Sequence, residues 1–199
     1  MALTRSQSAA ILSRLGFRVN TSSRLTQAIK DFQRGWNLGA ALTVDGKVGP
    51  KTSAALTLSE ARRRKGLGTM SAHFSYSEFA CKCGGRYASC RRTWMIRTHI
   101  LRLEAYRKHV GVVKVISGCR CVAYNRSIGG ASSSQHMYGT ATDLQGPNYA
   151  TVASWRCFAG IGYGGHSKTV KHVDSRDKGG HNTTGASISN PTKWVYPGW

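Results

Sequence analysis

Apolar residues fall at helical spacing along the first third of the chain and alternate as in strands along the last third. Ser8, Ile11, Leu12 and Leu15 share one face of a first helix, which Thr4 and Gln7 open as a capping box and Gly16 closes. Leu25, Ala28, Ile29, Phe32 and Trp36 define a second helix that begins near Ser22 or Ser23. Asp45-Gly46 marks a turn, and Gly49-Pro50 opens a short third helix through Ala54, Ala55 and Leu56. Periodicity stops between Ser59 and Gly68, where Arg62-Arg-Arg-Lys65 and Gly66-Leu-Gly68 predict a basic linker. From Phe74 a second unit begins. Trp94, Ile96, Ile100, Leu101, Leu103 and Tyr106 predict a broad buried face on a helix from about Thr93 to His109, with Arg92, Arg102, Arg107 and Lys108 outward. The β-branched run from Val112 to Ile116 reads as a strand, and Val170 to Ser175 alternates so that Val170, His172 and Asp174 share a face. In the tail, Trp194 and Tyr196 alternate as on an edge strand. The pattern predicts an α+β chain divided into 1–58, a three-helix bundle; 59–69, the linker; and 70–199, a mixed α+β domain.

Charge changes the picture of the surroundings. Twenty-nine Lys and Arg against eight Asp and Glu give a formal net charge of +21 in 199 residues, which implies a polyanionic neighbour rather than a fold. No RNA-recognition signature, zinc-finger spacing or heptad with a basic arm is present, so specific nucleic-acid readout is not expected and a duplex-binding reading rests on charge alone. No run reaches membrane-spanning length. The first residues, Met-Ala-Leu-Thr-Arg-Ser-Gln-Ser, lack the pattern of a secretory signal, so the expected life history is synthesis in a cytoplasm and action elsewhere after release.

The candidate chemistry lies in Ser134-Gln-His-Met-Tyr-Gly-Thr-Ala-Thr-Asp143, where an imidazole and a carboxylate stand seven positions apart with Gly139 between them. His172 on the alternating strand supplies a third ligand. His136, Asp143 and His172 thus make a site for one catalytic Zn2+, three protein ligands with a position left open. A zinc-bound water has its pKa lowered to about 7, which supplies a nucleophile near neutral pH. Arg120 suits a substrate carboxylate or an oxyanion, because its planar fork donates in parallel. Ser134 reads either as a substrate-side hydrogen-bonding group or as a turn residue. His73, His99, His109 and His181 lack ligand-like spacing and read as structural or exposed. Nothing in the pattern supports sugar stacking by Trp199.

Six cysteines, Cys81, Cys83, Cys90, Cys119, Cys121 and Cys157, all lie in the second unit. For a protein working outside a cell their even number favours disulfides, of unassigned pairing. The alternative is a second, structural zinc held by Cys81, Cys83, Cys90 and one of Cys119 or Cys121, although Cys-x-Cys departs from the usual spacing.

Two resemblances enter at these residues. Ser-x-His-x-x-Gly-x-Ala-x-Asp, the later His-x-Asp, and Ile116-Ser-Gly-Cys-Arg120 with Tyr124-Asn125 are similar to the zinc D-alanyl-D-alanine carboxypeptidase family, peptidase family M15, whose fold is shared with the hedgehog signalling domain. That resemblance implies a central antiparallel sheet and cleavage of a cell-wall peptide. The bond is left open between a D-Ala-D-Ala carboxypeptidase or endopeptidase and an L-alanyl-D-glutamate endopeptidase. Ala28-Ile-Lys-Asp-Phe-Gln33 with Val44-Asp-Gly-Lys-Val-Gly-Pro-Lys-Thr52 and Ala55-Leu56 resembles the three-helix peptidoglycan-binding domain. Together they imply a monomeric peptidoglycan hydrolase of the bacteriophage endolysin type, with peptidoglycan and anionic wall polymers as partners. One departure stands out. Well-known members carry an acid three positions before the last histidine ligand, and here that position is Thr169. Asp174, which would activate the water or orient His136 or His172, is the expected proton acceptor, with His166 in the Gly-rich 162–166 segment as the alternative. Loss of catalysis, leaving a cationic wall-binding protein, is the competing class.

Overall fold

The computed structural model describes residues 2–145, 157–167 and 169–196. Three helices come first: α1 (Arg5–Arg14), α2 (Ser22–Gly35) and α3 (Pro50–Arg64). Thr4 caps α1 as expected: its Oγ1 accepts from Gln7 N at 3.2 Å while its own N–H donates to Gln7 Oε1 at 2.9 Å. Ile11, Leu12, Leu15, Leu25, Ile29, Phe32 and Leu56 are buried among these helices. Gln33 explains why a phenylalanine-glutamine pair precedes Asp45-Gly46 and Thr52. Its buried amide donates to Asp45 Oδ1 at 2.8 Å, Lys47 O at 3.0 Å and Thr52 Oγ1 at 3.2 Å, and accepts from Gly46 N at 2.9 Å. The residues that look like a recognition motif are therefore the knot that ties the α2–α3 loop.

Helix α3 runs past the sequence expectation. Ser59 and Glu60 are buried on it, so the basic stretch through Arg64 is helical rather than loose. The turn that follows is pinned as well, by Ser59 Oγ donating to Thr69 O at 2.7 Å and Arg62 Nε to Gly68 O at 2.6 Å.

The remainder is α+β: α4 (Arg97–Val110), α5 (Val122–Ser127) and strands β1 (Lys114–Ser117), β2 (Ala141–Gln145), β3 (Gly160–Gly164), β4 (Val170–Asp174) and β5 (Thr192–Tyr196). The strands form one sheet in the order β1-β2-β4-β3-β5. Three neighbouring pairs are antiparallel and β3-β5 is parallel, so the sheet is mixed, with the predicted antiparallel centre and a parallel edge. Helix α4 starts later than predicted because residues 93–96 are held outside the helix by tertiary hydrogen bonds. Trp94 N donates to Cys119 Sγ at 3.0 Å and Ile96 N to Gly139 O at 3.1 Å. Leu101 is exposed. Arg102, expected to point outward, instead pairs through both nitrogens with Asp177 at 2.6 and 2.8 Å.

Helical bundle and sheet share one hydrophobic core. Tyr76 lies 5.0 Å from Phe17 and 5.2 Å from Phe32, ring centre to ring centre, and its hydroxyl donates to Phe32 O at 2.9 Å. Asn37 N donates to Met70 O at 2.8 Å. Each fully buried aromatic of this kind contributes about 1.5–3 kcal/mol, so the junction is a packed interface.

Candidate metal centre

Antiparallel pairing of β2 with β4 sets Asp143 directly opposite His172, so both side chains rise from the same face of the sheet. His136 arrives from a short 3-10 helix, Gln135–Tyr138, which ends at Gly139 in the left-handed conformation, φ 72°. A Cβ at Gly139 would overlap the Trp94 carbonyl oxygen, so this turn needs glycine for its backbone angle and for its closeness to Trp94. Three atoms converge as a result. His136 Nε2 is 3.0 Å from Asp143 Oδ1 and 3.2 Å from His172 Nδ1, and His172 Nδ1 is 2.8 Å from Asp143 Oδ1. The edge of a tetrahedron built on zinc–nitrogen bonds of about 2.0–2.1 Å is about 3.3 Å, so this triangle and its donor set fit a zinc ion.

Each histidine is oriented from behind. His136 Nδ1–H donates to Gly118 O at 2.5 Å, leaving Nε2 as the inward lone pair. His172 Nε2 meets Asp174 Oδ2 at 3.3 Å, leaving Nδ1 inward. Burial pushes His136 down from the usual imidazole range. Burial acts on His172 the same way, but its hydrogen bonds to Asp143 and Asp174 win and lift it to about 9. Burial alone would raise Asp143; hydrogen bonds to the two imidazoles hold it well below the carboxylate range instead.

The predicted proton acceptors fare differently. Asp174 is fully buried, and besides His172 it takes Arg176 Nε at 2.9 Å, Arg176 Nη2 at 2.7 Å and the Arg176 amide at 3.1 Å. A Cβ at Gly160 would overlap its carboxylate, which leaves no room for water on that side. Asp174 thus sits behind His172, in the orienting position rather than the water-activating one. His166 is exposed on the turn between β3 and β4, because residues 160–164 form strand β3 instead of a loop over the site. Thr169 stands on the same turn, with its hydroxyl 2.8 Å from Ser167 Oγ. Arg120 lies at the site: Nε donates to Ser117 Oγ at 3.3 Å and a terminal nitrogen pairs with Asp143 Oδ2. Ser134 lines the cleft and also enters the 3-10 helix, its carbonyl accepting from Met137 N at 3.0 Å.

These groups open onto a cleft of about 960 Å³, lined also by Gln135, Lys171, Arg176, His181, Trp194 and Tyr196. Strand β5 brings the aromatics: Trp194 lies 5.2 Å from the His172 ring, with the Arg176 guanidinium 5.3 Å from its centre. Neither Arg176 nor His181 was legible as a site residue. Trp194 and Tyr196 had the right alternation, but only the parallel pairing of β5 with β3 decides what they face. Trp199 lies outside the described residues. His99 is structural as read: buried between Ser175 Oγ at 2.9 Å and Thr142 Oγ1 at 2.8 Å, its imidazole is pushed down to about 3 by burial.

Two histidines and a carboxylate at the mouth of a cleft, each oriented by a further hydrogen bond, define a candidate metal site on an α+β sheet. Residues 72–174 match the family model described as Peptidase M15, and the chain belongs to that family. The zinc D-Ala-D-Ala carboxypeptidase of Streptomyces albus G is 29% identical over 130 residues, 53% of this chain and 51% of the relative, so the chain spans about half the length of the curated relative it matches. Zn2+ is the cofactor that this family implies, and His136, Asp143 and His172 are placed to hold it. No helix among the described residues is long and apolar enough to cross a membrane.

Proposed function

We propose that the chain is a peptidoglycan hydrolase of the endolysin type, in which α1–α3 hold cell wall and the M15 site cleaves a peptide bond of the stem peptide or cross-bridge in the D-Ala-D-Ala mode. The observation that carries this reading is the convergence of His136, Asp143 and His172 beneath a cleft whose rim is basic. Those three side chains would hold the zinc, which when bound supplies Lewis-acid chemistry. The wall-polymer role of the helices rests on the motif resemblance and on the net charge of +21.

The protein's own groups divide the remaining work. Arg120, Lys171 and Arg176 line the cleft, whereas Asp143 is the one acid among the described lining residues. A substrate ending in a free carboxylate fits that balance. Arg120 spends two nitrogens on Ser117 and Asp143, and a guanidinium carries about five N–H donors in all, so it retains donors for an anionic group. Trp194 and Tyr196, their rings 74° apart, offer an angled aromatic wall for the peptide. Asp174 keeps His172 Nε2 protonated and its ring fixed. With Asp174 enclosed and His166 outside the cleft, the proton acceptor we assign is His181. It lines the cleft, and Gln135 holds its backbone through Nε2–H to His181 O at 2.5 Å and Oε1 to His181 N at 3.2 Å.

Digestion of purified sacculi followed by mass spectrometry of the released muropeptides tests the reading. The expected result is loss of terminal D-Ala or opening of D-Ala cross-links, abolished by chelation and restored by Zn2+. Release that persists without metal overturns it. A new L-alanine C-terminus assigns the L-alanyl-D-glutamate bond instead. The absence of an acid at Thr169 supports a second reading, a non-catalytic wall-binding protein, which predicts sacculus binding with no fragment released.

A further inference from the structure

A second group of metal-ligating side chains lies apart from the cleft. Cys81 and Cys83 follow the 3-10 helix Tyr76–Phe79, Cys90 lies further along the same loop, and Cys121 directly follows Arg120. Their four sulfurs lie within 4.8 Å of one another, and all four residues are buried. We propose that these four cysteines hold a structural zinc that clamps the Arg120 segment and the N-terminal helices to one loop.

Three observations carry it. The first is separation. Cys83 Sγ and Cys121 Sγ are 3.9 Å apart. Tetrahedral zinc with Zn–S bonds of about 2.3 Å sets its sulfurs about 3.8 Å apart, whereas a disulfide needs about 2.05 Å. All six cysteines are unpaired in the structure, which departs from the disulfides expected of a protein acting outside a cell. The second is the backbone. Cys121 N donates to Cys81 Sγ at 3.4 Å and Arg92 N to Cys90 Sγ at 3.3 Å, and amides aimed at sulfur favour thiolates. Tight turns from Gly84 N to Cys81 O at 3.2 Å, and from Cys90 N to Tyr87 O at 3.0 Å, shape the loop around the sulfurs. The third is selection. Cys119, two residues from Cys121, is turned away: its Sγ accepts from Trp94 N at 3.0 Å and donates to Trp94 O at 2.8 Å. The fold thus gathers four of six thiols and excludes the nearest other one.

The location gives the ion its work. Arg18 Nη1 donates to Tyr87 O at 2.9 Å and Cys90 O at 3.4 Å, and Arg24 Nη1 reaches Cys90 O at 3.4 Å. Both arginines belong to the helical bundle, so the cysteine loop is where the bundle docks. On the other side, Cys119 N donates to Phe79 O at 2.8 Å and Arg120 N to His136 O at 3.2 Å, joining the loop to the cleft. Zinc held by four thiolates carries a charge of about −2, complementary to these guanidinium groups. Loading exchanges four thiol protons for one Zn2+, so binding releases up to about four protons.

The test uses the full-length protein. Elemental analysis should find two zinc ions per chain in the wild type, and one in both H136A and C83S. In the wild type, a dipicolinate wash should remove one ion, and the second should leave only on titration with p-hydroxymercuribenzoate, read with a metallochromic dye. Loss of that second ion should lower the melting temperature by about 10 °C or more. Cobalt substitution in H136A should show the strong thiolate-to-cobalt charge-transfer band. A wild type carrying one zinc that H136A abolishes overturns the proposal, as does a denatured, chelated protein with fewer than its six thiols reactive. Neither result bears on the hydrolytic reading, whose own test is fragment release. If C83S fails to fold, the mercurial titration of the wild type still decides.

Discussion

Asp174 separates two jobs that one acid near a metal can perform. Behind His172 and locked by Arg176, it is placed to act through the imidazole. Replacing it with Asn should weaken zinc binding by about 10–100-fold, with peptidase activity recovering when zinc is raised to saturation. If Asp174 were the proton acceptor, zinc affinity would hold and the rate would stay low at any zinc concentration. Changing His166 to Ala should leave hydrolysis within about twofold, because the side chain is exposed outside the cleft. Changing His181 to Ala should lower kcat with zinc content unchanged. The three converging side chains, His136, Asp143 and His172, were legible because spacing and alternation are local properties. His181 was not, because Gln135 holds it in place across more than forty residues of sequence.

At the scale of elements, the junction of α2 with the cysteine loop carries a titratable switch of stability. Asp31 on α2 is buried, with Arg34 at 2.9 Å and Arg91 at 3.5 Å. Burial dominates over both arginines and pushes its carboxyl up to about 6 from an ordinary 3.8. The folded state then binds this proton more tightly than the unfolded chain, so stability falls as pH rises from about 4 to 6. Against D31N, which carries no such charge, the wild type should lose on the order of 3 kcal/mol across that window, measured by denaturant unfolding at each pH. A flat difference would show that the arginines fully compensate the buried charge. Gly139→Ala is expected to cost about 2 kcal/mol or more, since the added carbon meets the Trp94 carbonyl that also positions the start of α4. The late start of α4 and the inward turn of Arg102 escaped the periodic pattern for one reason. Partners distant in sequence, Cys119, Gly139 and Asp177, decided them.

For the molecule as a whole, one core runs through the helical bundle and the sheet. Calorimetry should therefore show a single cooperative transition, and deletion of residues 1–58 should expose Tyr76 and lose the fold of the remainder rather than release a working peptidase. Two separated transitions would identify the bundle as an independently folding unit. With a net charge of +21, retention on anionic cell walls should fall steeply as ionic strength rises and the Debye length shrinks to about 3 Å near 1 M salt.

The ten residues from Ser134 to Asp143, with the alternation through His172, were enough to single out the three side chains that converge, because loop spacing and strand period determine locally which side chains share a face. Helical spacing likewise made the bundle readable, and even its motif-like glutamine proved to be a knot in its own loop. What the sequence could not determine is which groups stand around those three side chains. Sheet order, the parallel edge strand with Trp194, the retreat of Asp174 behind His172 and the choice of Cys121 over Cys119 are all long-range pairings. Such pairings are decided by the packing of segments that no local pattern relates.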